Sequence, residues 1–150
     1  MNIFVTVGTT RFDSLVKRVA QDPFFYENEC TIQVGPGGLL YDGFEVFEYT
    51  DRINEYYERA DVVVTHAGAG SIYHLLGLKK SLVIVPNSDR MDNHQYDIAT
   101  FMQTNGYALS VFNLDRLTEA VQTAARATFR PFERKVFFAG ADILDFVDPK

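Results

Sequence analysis

Short runs of β-branched and aromatic residues alternate along this chain with stretches whose apolar residues recur every three or four positions. The first pattern predicts buried strands and the second amphipathic helices. Ile3 to Val7 reads as the first strand, ended by Gly8-Thr9-Thr10. A helix from about Asp13 to Ala20 buries Leu15, Val16 and Val19, and Pro23 breaks it. Thr31 to Val34 is strand two, closed by Gly35-Pro36-Gly37-Gly38, a composition that suits neither helix nor sheet. Phe44 to Tyr49 alternates as strand three, with Phe44 and Val46 towards the core and Phe47 a further core candidate. A helix over Arg52 to Arg59 leads into strand four, Val62 to Thr65. Leu82 to Val85 is strand five, stopped by Pro86, and Asp92 to Asn105 a helix ended by Asn105-Gly106. Tyr107 to Phe112 is strand six, and Asp115 to Ala127 a surface helix. Such alternation predicts a single three-layer α/β domain with a mainly parallel sheet and Val62 to Thr65 at its centre.

The chain is organised around Asp61-Val62-Val63-Val64-Thr65-His66-Ala67-Gly68-Ala69-Gly70-Ser71-Ile72-Tyr73-His74. Here a strand runs without spacer into a small-residue turn, and a helical pattern opens at Ser71. Glycines let a backbone approach a ligand closely, and a helix start offers unpaired N–H groups with partial positive charge. Ser71 stands where a hydroxyl either caps the helix or binds a phosphate oxygen. The stretch therefore points to a phosphorylated ligand, with a tight turn and capping serine as the alternative. It lacks the lysine of a P-loop, and Tyr73 stands where a dinucleotide fingerprint needs its third glycine.

Composition narrows the classes. A chain of 150 residues makes one domain with room for a sizeable core, and 47% hydrophobic content with regular periodicity argues against disorder. The formal net charge of −6, with no basic stripe through the body, argues against a nucleic-acid protein. Cys30 is the single cysteine, which excludes an internal disulfide and fits a reducing, cytoplasmic setting. No basic, cleavable leader precedes the first strand, and no apolar run reaches the ~20 residues of a membrane span.

Ligands of such sheets sit at the carboxyl ends of the strands. The loops expected there are Gly8-Thr9-Thr10, Gly35 to Gly38, Tyr49-Thr50, His66 to Ser71 and Pro86 to Gln95. Four are rich in small or hydroxyl residues; the fifth carries Asp89, Arg90, Asp92, His94 and Gln95. Together Val5-Thr6-Val7-Gly8-Thr9-Thr10 with Phe12-Asp13, the Asp61 to Ile72 stretch, Val85-Pro86-Asn87 and Asp92-Asn93-His94-Gln95 resemble the C-terminal lobe of GT-B glycosyltransferases. More closely the chain is similar to the split members of that group, the Alg13 and PssE type within the glycosyltransferase family 28 C-terminal domain. The resemblance runs from Ile3 to about Thr123, and the chain has room for one Rossmann-like lobe of the two that a complete enzyme needs.

The resemblance implies a donor-binding subunit that transfers a sugar from a UDP-sugar to a lipid-linked saccharide acceptor. The acceptor would be held by a membrane-anchored partner of the Alg14 or PssD type, placing this chain in the cytoplasm, peripheral at the membrane. Gly68, Gly70 and Ser71 would hold the diphosphate, with His66 at the strand end beside it. Tyr49 and Thr50 would read the uracil, and His94 and Gln95 the donor sugar's hydroxyls. Gly8 and Thr9 would border the cleft facing the other lobe. Catalytic roles fall to His66 and His94, with the acceptor's base supplied by the partner. No metal or other cofactor is implied, because the helix dipole and donor side chains substitute for one.

One position departs from the family. Three residues after the serine, a Glu or Asp accepts hydrogen bonds from the ribose hydroxyls; here that residue is His74. Neutral imidazole accepts one such bond and not two. A non-catalytic nucleotide- or partner-binding module with degraded donor recognition is therefore the alternative function. Other chemistries lack support: the histidines as a metal site would need a third ligand near His66 and His74, and Ser71 has neither a nucleophile elbow nor an obvious base. Asp92 reads as a helix cap or a general base, and Cys30 as an inert core thiol.

Residues 1–127 thus form the expected donor-binding domain, and 128–150 a Phe-rich helical tail. Phe129, Phe132, Phe137, Phe138, Ile143, Leu144, Phe146 and Val147 are its apolar set, with Arg126, Arg130, Arg134 and Lys135 interleaved at its start. The tail would either fold back over the sheet or dock the missing lobe, and an unpaired apolar tail would let the isolated chain form a homodimer.

Overall fold

The computed structural model describes residues 1–90 and 93–133. Six strands form one sheet: β1 Asn2–Thr6, β2 Glu29–Gln33, β3 Glu45–Phe47, β4 Val62–His66, β5 Ser81–Val85 and β6 Leu109–Ser110. Their order is β3-β2-β1-β4-β5-β6, and every pairing is parallel. The helices between them are α1 Asp13–Gln21, α2 Pro23–Tyr26, α3 Ile53–Arg59, α4 Ala69–Gly77, α5 Asn93–Thr104 and α6 Leu117–Ala124, with a 3-10 turn at Leu114–Arg116. The fold is the expected three-layer α/β arrangement, with β1 and β4 as the two central strands.

Strand alternation divides the core in two. Ile3, Val5, Val62, Val64, Val83 and Val85 turn to the face covered by α1, α2 and α6, where Leu15, Val19, Phe25, Leu117 and Val121 meet them. Phe4, Val63, Leu82 and Ile84 turn to the face covered by α3, α4 and α5, among Tyr57, Ile72, Leu75 and Met102. A strand buried on both faces reads as a continuous apolar run, which is why Val62-Val63-Val64 carries no polar alternation.

Several boundaries differ from the expected ones. Helix α4 begins at Ala69 rather than Ser71, because extended Gly68 is the N-cap. Pro23 ends α1 and also opens α2, where the Asp22 carboxylate accepts from the Phe24 N–H at 3.0 Å. Strand β6 keeps two residues of the expected six. Tyr107 is drawn into the close of α5, its N–H bonded to the Met102 carbonyl at 2.9 Å, although Val111 N–H still reaches the Ile84 carbonyl at 2.8 Å. The expected Asp115–Ala127 surface helix is a 3-10 turn followed by α6, and α6 fully buries Leu117, Val121 and Ala124. Phe47 packs on the opposite core from Phe44 and Val46.

Asp92 and the tail beyond Glu133, with Phe137, Phe138, Ile143, Leu144, Phe146 and Val147, lie outside the described residues. Phe129 packs on the first core, and Phe132 on the second against Tyr73 and Tyr107. Cys30 is buried, and desolvation pushes its thiol up to about 12, which keeps it unreactive.

Leu75 joins α4 to the sheet and is fully buried. Leu75→Ala should therefore cost about 2–5 kcal/mol of stability, read as a lowered urea midpoint with an unchanged slope.

Candidate functional site

The strand order reverses direction between β1 and β4, so the crevice of this sheet opens between the turns that follow those strands. Polar residues gather at this end. Thr6, Gln33, Thr65 and Asn87 are buried, and each stands at or just beyond the carboxyl end of its strand. The Thr6 hydroxyl donates to Gln33 Oε1 at 2.5 Å and accepts from the Gly8 N–H at 3.2 Å.

Both turns are shaped by His66. Gly8 has φ +64°, and a Cβ there would lie 2.8 Å from His66 Cε1. A Cβ on Gly68 would lie 2.3 Å from His66 Nε2. The imidazole is wedged between two backbones that only glycine lets approach so closely. Its Nδ1 is buried without a partner among the described residues, as is the Thr65 hydroxyl. Burial holds the His66 pKa below its ordinary value of 6.5, with the backbone of Thr6 opposing in part. Desolvation disfavours the imidazolium, so His66 is neutral at physiological pH.

Helix α4 begins beside this ring. Ala69, Gly70 and Ser71 precede the first intrahelical bond, from Ile72 N–H to the Gly68 carbonyl at 3.1 Å. Among the described residues no side chain caps this end, and no acidic residue stands in the first turn. The situation at α1 is opposite, since Asp89 accepts there from the Ser14 N–H at 3.0 Å and from its hydroxyl at 2.6 Å. A Cβ on Gly70 would meet nothing within 4 Å, so the space beyond the α4 start is open. Ser71 is the third helical residue, a first-turn hydroxyl rather than the cap. Unfilled N–H groups, an adjacent hydroxyl and open space are what an oxyanion requires.

The remaining candidates stand around this centre. Thr9 is exposed on the β1–α1 turn. Tyr49, 75% exposed, follows β3, and the Thr50 hydroxyl accepts from the Arg52 N–H at 3.1 Å, ordering the start of α3. His74 is exposed on α4, its Nε2 2.8 Å from Asn54 Oδ1 in the first turn of α3 and its ring 5.8 Å from that of Tyr57. Gln95, in the first turn of α5, accepts from the Asn87 N–H at 2.9 Å, and exposed His94 precedes it. Gly8, His66 and Gly68 therefore meet directly, Ser71 and His74 lie along α4, Tyr49 and Thr50 sit on the β3–α3 turn, and His94 and Gln95 stand in the first turn of α5.

Two neighbours are absent from the sequence reading. The buried Tyr57 hydroxyl interacts with the hydroxyls of Ser71 and Thr6, linking α3 to the α4 start and the β1 end, while burial raises its pKa. Asn54 orients His74. An aromatic residue with a polar tip on the apolar face of α3 was the available signal for Tyr57; Asn54 left none. Elsewhere, a cleft of about 330 Å³ lies at the opposite, amino end of the sheet, lined by Asn2, Glu29, Cys30, Tyr56 and Arg59. Among the described residues no group of three His, Cys, Asp or Glu side chains is placed to hold a metal, and no helix is long and apolar enough to cross a membrane.

An open parallel sheet in this order, with a glycine-lined crevice at its switch point, defines a Rossmann-like α/β domain. The solution structure of ALG13 matches with a TM-score of 0.63 at 24% identity, over 96% of this chain and 94% of that one. MurG of Acinetobacter baumannii matches with a TM-score of 0.59 at 18% identity, over 99% of this chain and 50% of that one. The model of the glycosyltransferase family 28 C-terminal domain matches residues 2–135, and the chain belongs to that family. Two relatives are UDP-N-acetylglucosamine transferase subunits ALG13. The Mus musculus protein is 38% identical over 117 residues, and the Homo sapiens protein 35% over 118. These alignments take in 69% and 70% of this chain, which spans about a tenth of either relative's length, 10% in both cases.

The wedged histidine makes a pH prediction. With its pKa depressed in the folded state, His66 contributes stability above its unfolded value, and the contribution is lost as pH falls through the folded value. Replacing it by Gln should flatten the fall in urea midpoint below about pH 6.5 relative to wild type, since glutamine has no proton to gain.

Proposed function

We propose that this chain is the donor-binding lobe of a two-component glycosyltransferase, taking a sugar from a UDP-sugar to a lipid-linked saccharide. The observation that carries this reading is the start of α4, with its unfilled N–H groups, open space beyond Gly70 and His66 wedged alongside. Membership of glycosyltransferase family 28 and the names of the ALG13 relatives support it. The donor diphosphate lies against Gly68, Gly70 and Ser71. Neutral His66 meets it by hydrogen bonding rather than charge. Tyr49 offers an exposed ring for the uracil, with Thr50 ordering the backbone beneath it. His94 and Gln95 face the sugar. His74 takes the ribose; donating Nε2–H to Asn54 leaves Nδ1 as the single acceptor.

Chemistry follows from that placement. An acceptor hydroxyl oxygen bonds to the anomeric carbon as the bond from that carbon to the diphosphate oxygen breaks. The electron pair leaves with UDP, and the hydroxyl proton passes to a base on the partner lobe. The N–H groups of the α4 start stabilise the charge growing on the departing diphosphate, so the lobe supplies leaving-group stabilisation without a metal. Because one lobe leaves the cleft open at the Gly8 and Thr9 rim, a membrane-anchored partner closes it, with the tail beyond Glu133 as a second docking element. In this reading the chain works at the cytoplasmic membrane face, and forms a homodimer when the partner is missing. The alternative of a non-catalytic nucleotide- or partner-binding module draws on His74 alone.

Calorimetry with UDP, and NAD as control, tests the site. Ser71→Ala should weaken UDP binding by about 1–2 kcal/mol, the worth of a hydrogen bond to a charged group. Gly70→Val should weaken it more, by filling the open space. Unchanged affinity in both variants would make the α4 start merely structural.

Position 74 separates donor lobe from degraded module. His74→Glu should tighten UDP binding several-fold at neutral pH, because a carboxylate accepts from both ribose hydroxyls. Sugar transfer by wild type should need the membrane-anchored partner. A pair that binds UDP without transferring sugar would favour the module.

A further inference from the structure

The loop between β5 and α5 is tied to α1 across the mouth of the crevice. Asp89 caps α1 from 75 residues away in sequence, its two carboxylate oxygens taking the Ser14 N–H at 3.0 Å and the Ser14 hydroxyl at 2.6 Å. Helix α1 has no capping side chain of its own, since its N-cap is Phe12. Asn87 supports the same turn. Only 1% exposed, it donates its amide to the Arg11 carbonyl at 3.0 Å and accepts from the Asp89 N–H at 3.0 Å. Its own N–H donates to Gln95 Oε1 at 2.9 Å. These bonds run from the β1–α1 turn, through Asn87 and Asp89, to the first turn of α5.

Resting on the donor-site reading above, we propose that Asp89 is a positioning residue for the donor sugar. Its clasp on Ser14 sets where the α5 start, with His94 and Gln95, stands relative to the α4 start. It thereby decides how well the site distinguishes a nucleotide-sugar from the bare nucleotide. Three physical points favour this role. A carboxylate bonded to a helix N-terminus is held by the dipole as well as by its hydrogen bonds, so its direction is well defined. The bonded partner belongs to α1, packed on the sheet through fully buried Leu15 and Val19, so the anchor is rigid. Gln95 cannot turn without giving up the Asn87 N–H, so the orientation of the turn passes directly to a sugar-facing side chain. The diphosphate and uracil contacts come from α4 and the β3–α3 turn, which the clasp does not touch.

The test is titration calorimetry on the full chain with UDP and with whichever of UDP-N-acetylglucosamine, UDP-glucose and UDP-galactose wild type binds most tightly. Asp89→Ala should lower affinity for that UDP-sugar about fivefold to tenfold and for UDP less than about twofold, the loss of a hydrogen-bond pair felt only by the sugar. Ser14→Ala should act in the same direction, the double variant should be no worse than Asp89→Ala, and Asp89→Asn, which keeps one acceptor, should fall between. Amide exchange around Asn87 and Gln95 reports the clasp independently of ligand. Equal losses for UDP and UDP-sugar would make Asp89 a stability residue only, and overturn the proposal. So would faster exchange with an unchanged affinity ratio, or a wild type that binds UDP-sugar no better than UDP. A wild type that binds neither would instead overturn the donor-site reading beneath it.

Discussion

The close approach of two backbones around one imidazole sets the geometry of the crevice. His66 ends the central strand β4, and its ring occupies the space that a side chain on either Gly8 or Gly68 would need. The positive φ of Gly8 turns the chain after β1 away from the ring, and extended Gly68 lets α4 begin one residue later. That start is where the N–H groups of Ala69, Gly70 and Ser71 converge on open space. A larger residue at either glycine would displace the ring and both turns with it.

Apolar burial and buried polarity occupy different parts of the sheet. Apolar side chains fill both faces of the strands, while Thr6, Gln33, Thr65 and Asn87 concentrate buried polarity at the carboxyl ends. Such groups cost free energy unless bonded, and the Thr6–Gln33 and Asn87 networks meet that requirement. Among the described residues the Thr65 hydroxyl and His66 Nδ1 are the exceptions, and the His66 ring lies against Gly68 at the α4 start. Two helix starts at this rim are treated oppositely. The one at α1 is filled by a carboxylate of the chain itself, whereas among the described residues no side chain fills the one at α4, so its dipole stays unspent.

Much of the layout was legible in residue order. Val62-Val63-Val64 next to His66-Ala67-Gly68 marks a central strand and its turn, because a strand buried on both faces must be apolar throughout and a close approach must be glycine. Gly8 and Gly106 mark turns because each adopts the positive φ that glycine tolerates. Local rules blurred where tertiary contacts override them. Ser71 looks like a cap by residue type, yet extended Gly68 takes that place. Tyr107 to Phe112 has strand composition, yet Tyr107 closes α5 and an edge with one neighbour keeps only Leu109 and Ser110 in the ladder.

Residue types and their spacing determined the parallel α/β class, the switch-point glycines and which loops gather at the carboxyl ends of the strands, since each follows from steric and burial rules acting within a few residues. Tertiary structure alone decided which side chains meet. Asp89 reaches Ser14, Asn54 orients His74, Tyr57 meets Ser71, and His66 loses its water between two turns. These pairs come from segments 14 to 75 residues apart, and no periodic pattern encodes them. Their partners are chosen by how helices settle on the twisted sheet, a packing outcome set by the whole core rather than by any local run of residues.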